Sequence, residues 1–182
     1  MKKTWLAALL CMVFCLSGCS AELSEEAAAI RGKWAYIHDE KTVILTLKGS
    51  GKALYHGEEY ESYDCDGEFL SLTAGDGETI KLRYYIDGED IYLYEPALYT
   101  YAGTDTPEGL VGTWNNGNWS FEFTAEGSFK EDGYFPGRYS VNEAEGTFKL
   151  MYNDPFEDTT CYYHIDGKEM LVEYPWHMVK AH

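Results

Sequence analysis

The strongest constraint on this chain is that it repeats itself. Gly32-Lys33-Trp34 recurs as Gly112-Thr113-Trp114, 80 residues later. Tyr84-Tyr85-Ile86-Asp87-Gly88 recurs as Tyr163-His164-Ile165-Asp166-Gly167 at a spacing of 79, which Pro96 and Pro175 share. Gly67-Glu68-Phe69 matches Gly146-Thr147-Phe148, again 79 apart, and Gly51 matches Gly127 at 76. Landmarks in one order mean one supersecondary plan used twice. Each copy has only about 70–75 residues, too few for a thick core, so the copies are expected to pack together.

Within each copy the hydrophobic period is two. Trp119, Phe121 and Phe123 alternate with Ser120, Glu122 and Thr124, and Ile80, Leu82, Tyr84 and Ile86 alternate with Lys81, Arg83, Tyr85 and Asp87. Val43, Leu45 and Leu47 do the same, as do Phe148, Leu150 and Tyr152. Such alternation predicts strands with one buried face. Gly-Ser-Gly, Asp-Cys-Asp-Gly and Gly-Asp-Gly clusters separate them, as tight antiparallel turns require. The fold expected is all-β: two tandem antiparallel up-and-down meanders of five to seven strands, residues 30–103 and 110–182. Residues 104–109, with Asp105, Pro107 and Gly109, form the junction. The alternative is both copies fused into one larger β-barrel.

The N-terminus is of a different kind. Lys2 and Lys3 precede an apolar run of 12 residues, Trp5 to Leu16. That is too short for a bilayer span of about 20 residues and fits a signal h-region. Leu16-Ser17-Gly18-Cys19 resembles the lipobox of bacterial lipoproteins. The resemblance implies a signal peptide over residues 1–18, cleavage before Cys19 and a covalent lipid on its sulfur. Residues 19–29 then read as a lipidated tether, and the protein is expected outside the cytoplasm, anchored to a bacterial membrane. No cofactor is expected besides that lipid.

Without the signal the chain holds 12 basic and 31 acidic residues. That balance disfavours nucleic acid and anionic lipid headgroups as partners. Asp64-Cys65-Asp66-Gly67 lacks the later oxygen ligands of a calcium loop. Cys65 and Cys161 remain in a compartment that permits a disulfide between them. Their alignment with Val141 and Leu82 instead predicts two buried thiols.

The opening Gly-x-Trp followed by an antiparallel meander resembles the lipocalin and wider calycin families. More closely, each copy is similar to the small lipocalin-like domains of secreted bacterial lipoproteins. Their Gly-x-Tyr element appears as Gly137-Arg138-Tyr139 in the second copy, whereas the first has only Tyr60 and Tyr63 there. The resemblance implies that Trp34 and Trp114 plug the barrels. A lipocalin has one such Trp in a barrel twice this length, and the later Thr-Asp-Tyr turn is absent. The resemblance therefore supports topology better than ligand binding.

No Gly-x-Ser-x-Gly, His-Glu-x-x-His or phosphate loop occurs. His56-Gly57-Glu58 and His164-Ile165-Asp166 each set a histidine two residues from an acid, but without a third ligand at metal spacing. No metal site and no catalytic residue is expected. Tyr92, Tyr94, Tyr99 and Tyr101 crowd the end of copy one, where they suit the seam between copies. The function expected is a non-enzymatic binding or interaction module for a protein or glycan. Alternatives are a carrier or sensor of a small apolar ligand in a barrel cavity and, less favoured, an envelope enzyme built from scattered residues.

Overall fold

A computed structural model describes residues 23–153 and 155–181. The signal, the lipobox and Cys19 lie outside them. Among the described residues one five-residue helix, α1 (Glu25–Ala29), is followed by fifteen strands. The first copy holds β1 (Gly32–Tyr36), β2 (Val43–Leu47), β3 (Ala53–Tyr55), β4 (Glu58–Tyr60), β5 (Ser62–Cys65), β6 (Phe69–Thr73) and β7 (Thr79–Asp87). The long β8 (Asp90–Tyr101) leads into β9 (Gly112–Asn115), β10 (Ser120–Phe123), β11 (Ser128–Glu131) and β12 (Phe135–Asn142). β13 (Thr147–Tyr152), β14 (Thr159–Asp166) and the long β15 (Glu169–Lys180) complete the chain. The all-β expectation holds.

Every neighbouring pair is antiparallel, and the strands form one continuous fifteen-stranded sheet. The pairing of β15 with β8 closes β8 to β15 into an eight-stranded barrel, the second lobe. The remaining strands wrap a separate core against the other halves of the same two strands, as β1 pairs with β15 and β7 with β8. Each lobe thus has its own core, as tandem units would, yet the sheet is continuous, as a fused barrel would be. The lobes do not part at residues 104–109. Ile91 and Leu93 of β8 pack in the first core and Tyr99 in the second, while Met170 and Val172 of β15 pack in the second and Met178 in the first.

The two prolines explain themselves in this frame. β8 pairs with β7 up to Leu93 and with β9 from Thr100, so around Pro96 it has no ladder neighbour on that side. β15 pairs with β14 up to Glu173 and with β1 from Met178, leaving Pro175 in the matching gap. Proline lacks the N–H a central strand must donate and is tolerated where a neighbour is missing.

The Gly-x-Trp motif also has a steric cause. Trp34 and Trp114 are buried, and each indole Nε1 donates to a carbonyl four residues back, Ile30 or Leu110, at 2.8 Å. A long-strand side chain lies across each ring: Lys180 Nζ sits 3.9 Å from the Trp34 centroid, and the Tyr101 ring 5.2 Å from that of Trp114. A Cβ on Gly32 would fall 2.8 Å from Lys180 Nζ, and one on Gly112 2.3 Å from the Tyr101 ring. Glycine is what lets that side chain close over the buried indole.

Four sequence expectations are corrected. The described part of the expected 19–29 tether, residues 23–29, is docked on the first lobe: Ala27 is buried in the first core, with Leu23 packed against it. Ser24 caps α1 by accepting from the Ala27 N–H at 3.1 Å. The counterpart of Phe148 is Leu70, one residue beyond Phe69, because Leu70 pairs with Leu82 as Phe148 pairs with Cys161. Phe69 instead carries the Arg83 guanidinium on its ring at 4.5 Å. Trp119 precedes β10 and is 49% exposed, rather than continuing the buried face of Phe121 and Phe123. Val141, the alignment partner of Cys65, is exposed rather than on the apolar face.

The missing Gly-x-Tyr of the first copy has a structural consequence. In the second lobe β12 runs unbroken from pairing with β11 to pairing with β13. A Cβ on Gly137 at that corner would meet Met151 O at 2.4 Å. The first copy has Glu61 there, and the strand breaks into β4 and β5 around it.

Candidate functional site

Because β14 leaves β15 at Glu173 and β1 joins it at Met178, residues 174–177 face a cleft between the lobes. Its volume is about 550 Å³. Tyr174, Pro175, Trp176 and His177 form the floor, and Tyr36, Ile37 and His38 at the end of β1 form the first-lobe wall. The second lobe contributes Glu131 and Asp132 from the β11–β12 turn, Phe135 and Tyr152. Phe156 and Glu157 come from the β13–β14 loop, and Trp119 stands before β10.

The rings form three packed groups. Trp176 lies 5.2 Å from Tyr36 and 5.3 Å from Tyr174, centroid to centroid. Phe156 lies edge-on to Phe135 at 5.1 Å and to Tyr152 at 6.0 Å. Tyr92 stacks on His177 at 4.5 Å, and Tyr85 stacks on Tyr92 at the same distance. The His177 Nε2 is 2.8 Å from Asp90 Oδ2.

The polar chemistry is acidic and phenolic. Tyr152 donates to Glu131 Oε2, and burial raises the Glu131 carboxyl above its usual range, with Asp132 adding to the shift and the Tyr152 bond opposing it. The Tyr152 and Tyr174 phenols are raised too, chiefly by burial and then by neighbouring charge or phenol. Across β8, Glu95 accepts from Tyr36 at 2.7 Å and from Tyr55 at 3.1 Å. The two networks are related by the repeat. Glu95 and Tyr174 are 79 apart and directly paired, and Tyr55 and Glu131 are 76 apart, so acid and phenol exchange places between lobes.

The raised Glu131 carboxyl has a defined sign. The folded chain binds this proton more tightly than the unfolded one, so the group costs stability as pH rises from the unfolded carboxyl pKa of about 4.3 through its folded value. Glu131→Gln is expected to raise the melting temperature at pH 7, and the gain is expected to vanish near pH 4. Thermal unfolding across that range checks this.

Of the histidines and tyrosines singled out in the sequence, Tyr92 lines the cleft and the others fall elsewhere. His164 is exposed on β14, and His56 sits in the β3–β4 turn with its Nε2 3.2 Å from Glu95 Oε1. Asp66 accepts from the Glu68 and Phe69 N–H groups, so its carboxylate closes a turn. Tyr99 is buried in the second core and Tyr101 covers Trp114, while Tyr92 lies at the seam and Tyr94 meets Tyr162 edge-on at 5.4 Å. Among the described residues no group of three His, Cys, Asp or Glu is placed to hold a metal ion. His38, His177, Trp119 and Phe156 were not legible as a site, because only the long β8–β15 ladder brings their segments together.

Cys65 and Cys161 are free and lie in different cores. The shared core a bridge between them requires is not formed. Burial pushes the Cys65 thiol up to about 11 and raises Cys161 as well. Neither is expected to react with a thiol reagent in the native protein, and both are expected to react on denaturation without reductant.

Comparison with protein-family models, curated proteins and solved structures finds no match to this chain.

Proposed function

We propose that this chain is a membrane-anchored extracytoplasmic lipoprotein whose two fused, lipocalin-like lobes serve as a non-enzymatic binding module. The observation that carries the reading is the aromatic cleft at residues 174–177. Its volume suits a small molecule or the tip of a larger one. Exposed rings over a rigid β scaffold are what a recognition site needs: Trp119 is 49% exposed and Phe156 51% exposed. The lipobox residues Leu16-Ser17-Gly18-Cys19 supply the anchor in this reading.

Carriage of an apolar ligand inside a barrel is the weaker reading. The interiors are occupied by Trp34, Leu45 and Leu72 in the first lobe and by Trp114, Phe121 and Phe148 in the barrel of the second. Small barrels fill their own interior in this way.

Two measurements test the proposal. Cys19→Ala is expected to move the protein from the membrane fraction to the soluble one; retention at the membrane contradicts the anchor. A thermal-shift screen over cationic, neutral and anionic small molecules is expected to find saturable stabilisation of the native chain that Trp119→Ala abolishes. Absence of any such ligand contradicts the binding site.

A further inference from the structure

We propose that the cleft between the lobes is an aromatic cage for a small organic cation, a quaternary or substituted ammonium group with an apolar body. This rests on the reading that the cleft binds a ligand, and it names the ligand's class. The first support is the ring geometry. Trp176, flanked by Tyr36 and Tyr174, and Phe156, flanked by Phe135 and Tyr152, line the cleft from its two sides, with Trp119 also part of the lining. Aromatic faces carry negative potential, and they attract an ammonium group the more strongly when water is excluded.

The second support is the charge of the lining. Glu131, Asp132 and Glu157 contribute carboxylates, and no Lys, Arg, Asn or Gln lines it among the described residues. The titratable bases that line it are His38 and His177, and His177 is held at 2.8 Å by Asp90. Sugar hydroxyls donate to carboxylates as well, so hydrogen bonding does not separate the two ligand classes; the negative charge set beside the rings is what favours a cation. A cation beside Glu131 would also relieve the cost of holding that carboxylate away from water.

The third support is the chain's own practice. Where it has cations near rings, it seats them on the faces: Arg83 lies 4.5 Å from the Phe69 centroid and 4.0 Å from that of Tyr162, and Lys180 lies 3.9 Å from Trp34. The cleft is lined by rings of the same kinds and adds carboxylates, and among the described residues no Lys or Arg lines it. The metal alternative is weak, since no three ligating side chains converge among the described residues.

The test is calorimetric titration of the full mature chain with choline and with its neutral carbon isostere, 3,3-dimethylbutan-1-ol. Choline is expected to bind at least about tenfold more tightly than the isostere. Trp119→Ala, an exposed position, is expected to weaken choline about tenfold or more while leaving the melting temperature unchanged. Equal binding of the two probes, no heat from choline up to about 10 mM, or choline binding that Trp119→Ala leaves intact overturns the cation assignment. Saturable binding of a neutral sugar that Trp119→Ala removes, with choline silent, overturns it while leaving the binding module standing. Failure of every class of ligand removes both.

Discussion

Ending the chain after Glu173 is expected to unfold the first lobe, although the deleted residues belong to the second copy in sequence. The deletion removes the partner of β1, since Trp34, Ala35 and Tyr36 pair with Lys180, Val179 and Met178. It takes Met178 out of the first core and Lys180 off the Trp34 ring. It also exposes the edge of β8 from Ile91 to Glu95, whose partners are Met178 to Tyr174. A domain of this size has only about 5–15 kcal/mol of net stability, and losing one of its closing strands exceeds that. The check is an amide NMR spectrum of the shortened chain. Collapse of the resonances of β1 to β7 is expected; a retained, dispersed first-copy spectrum would mean that residues 30–103 stand alone.

Trp114→Ala is expected to be the most damaging single substitution. The ring is fully buried beneath Tyr101, and its Nε1 satisfies the Leu110 carbonyl. Emptying a site of that size costs about 3–5 kcal/mol, and the orphaned carbonyl adds about 1–3 kcal/mol. At roughly 2–4 °C per kcal/mol for a chain of this length, the melting temperature is expected to fall by at least about 10 °C. Trp34→Ala has the same logic but a milder outcome, because Lys180 carries a flexible stem that can follow the collapse. A melting temperature within about 3 °C of the parent would show that Trp114 is not a structural plug.

Much of this architecture is legible in the sequence, and the parts that are not share one cause. The alternation in β2, β10 and β13 gives the correct buried face, because Leu45 and Leu47, Phe121 and Phe123, and Phe148 and Leu150 are all in the cores. The repeat landmarks locate both Trp plugs and both crossover prolines. Period-two alternation, however, says which face is buried and not which core receives it. In β8 the apolar residues Ile91, Leu93, Ala97 and Tyr99 keep one face throughout, while the core beneath them changes near Pro96. The shared strands were therefore hidden in a smooth pattern. Pro96 and Pro175 carried the one local signal, as prolines inside runs that otherwise read as central strands.

The cleft was hidden for the same reason. Asp90 and His177 are 87 residues apart and meet only through the β8–β15 ladder. Trp119 and Phe156 each look like ordinary strand or loop aromatics. Their role comes from where β14 leaves β15 and β1 joins it. The cleft is thus a consequence of fusing the lobes: separate tandem barrels would have no gap of this kind at residues 174–177.

That dependence makes the coupling of the lobes the claim to test first. The chain carries its own reporters, one buried thiol in each core: Cys65 in the first and Cys161 in the second. The decisive measurement is the rate of thiol labelling of both residues in Trp114→Ala, a lesion confined to the second core. Shared strands predict that the two thiols lose protection together, at matching rates. Rapid labelling of Cys161 with Cys65 still protected would contradict the fused fold.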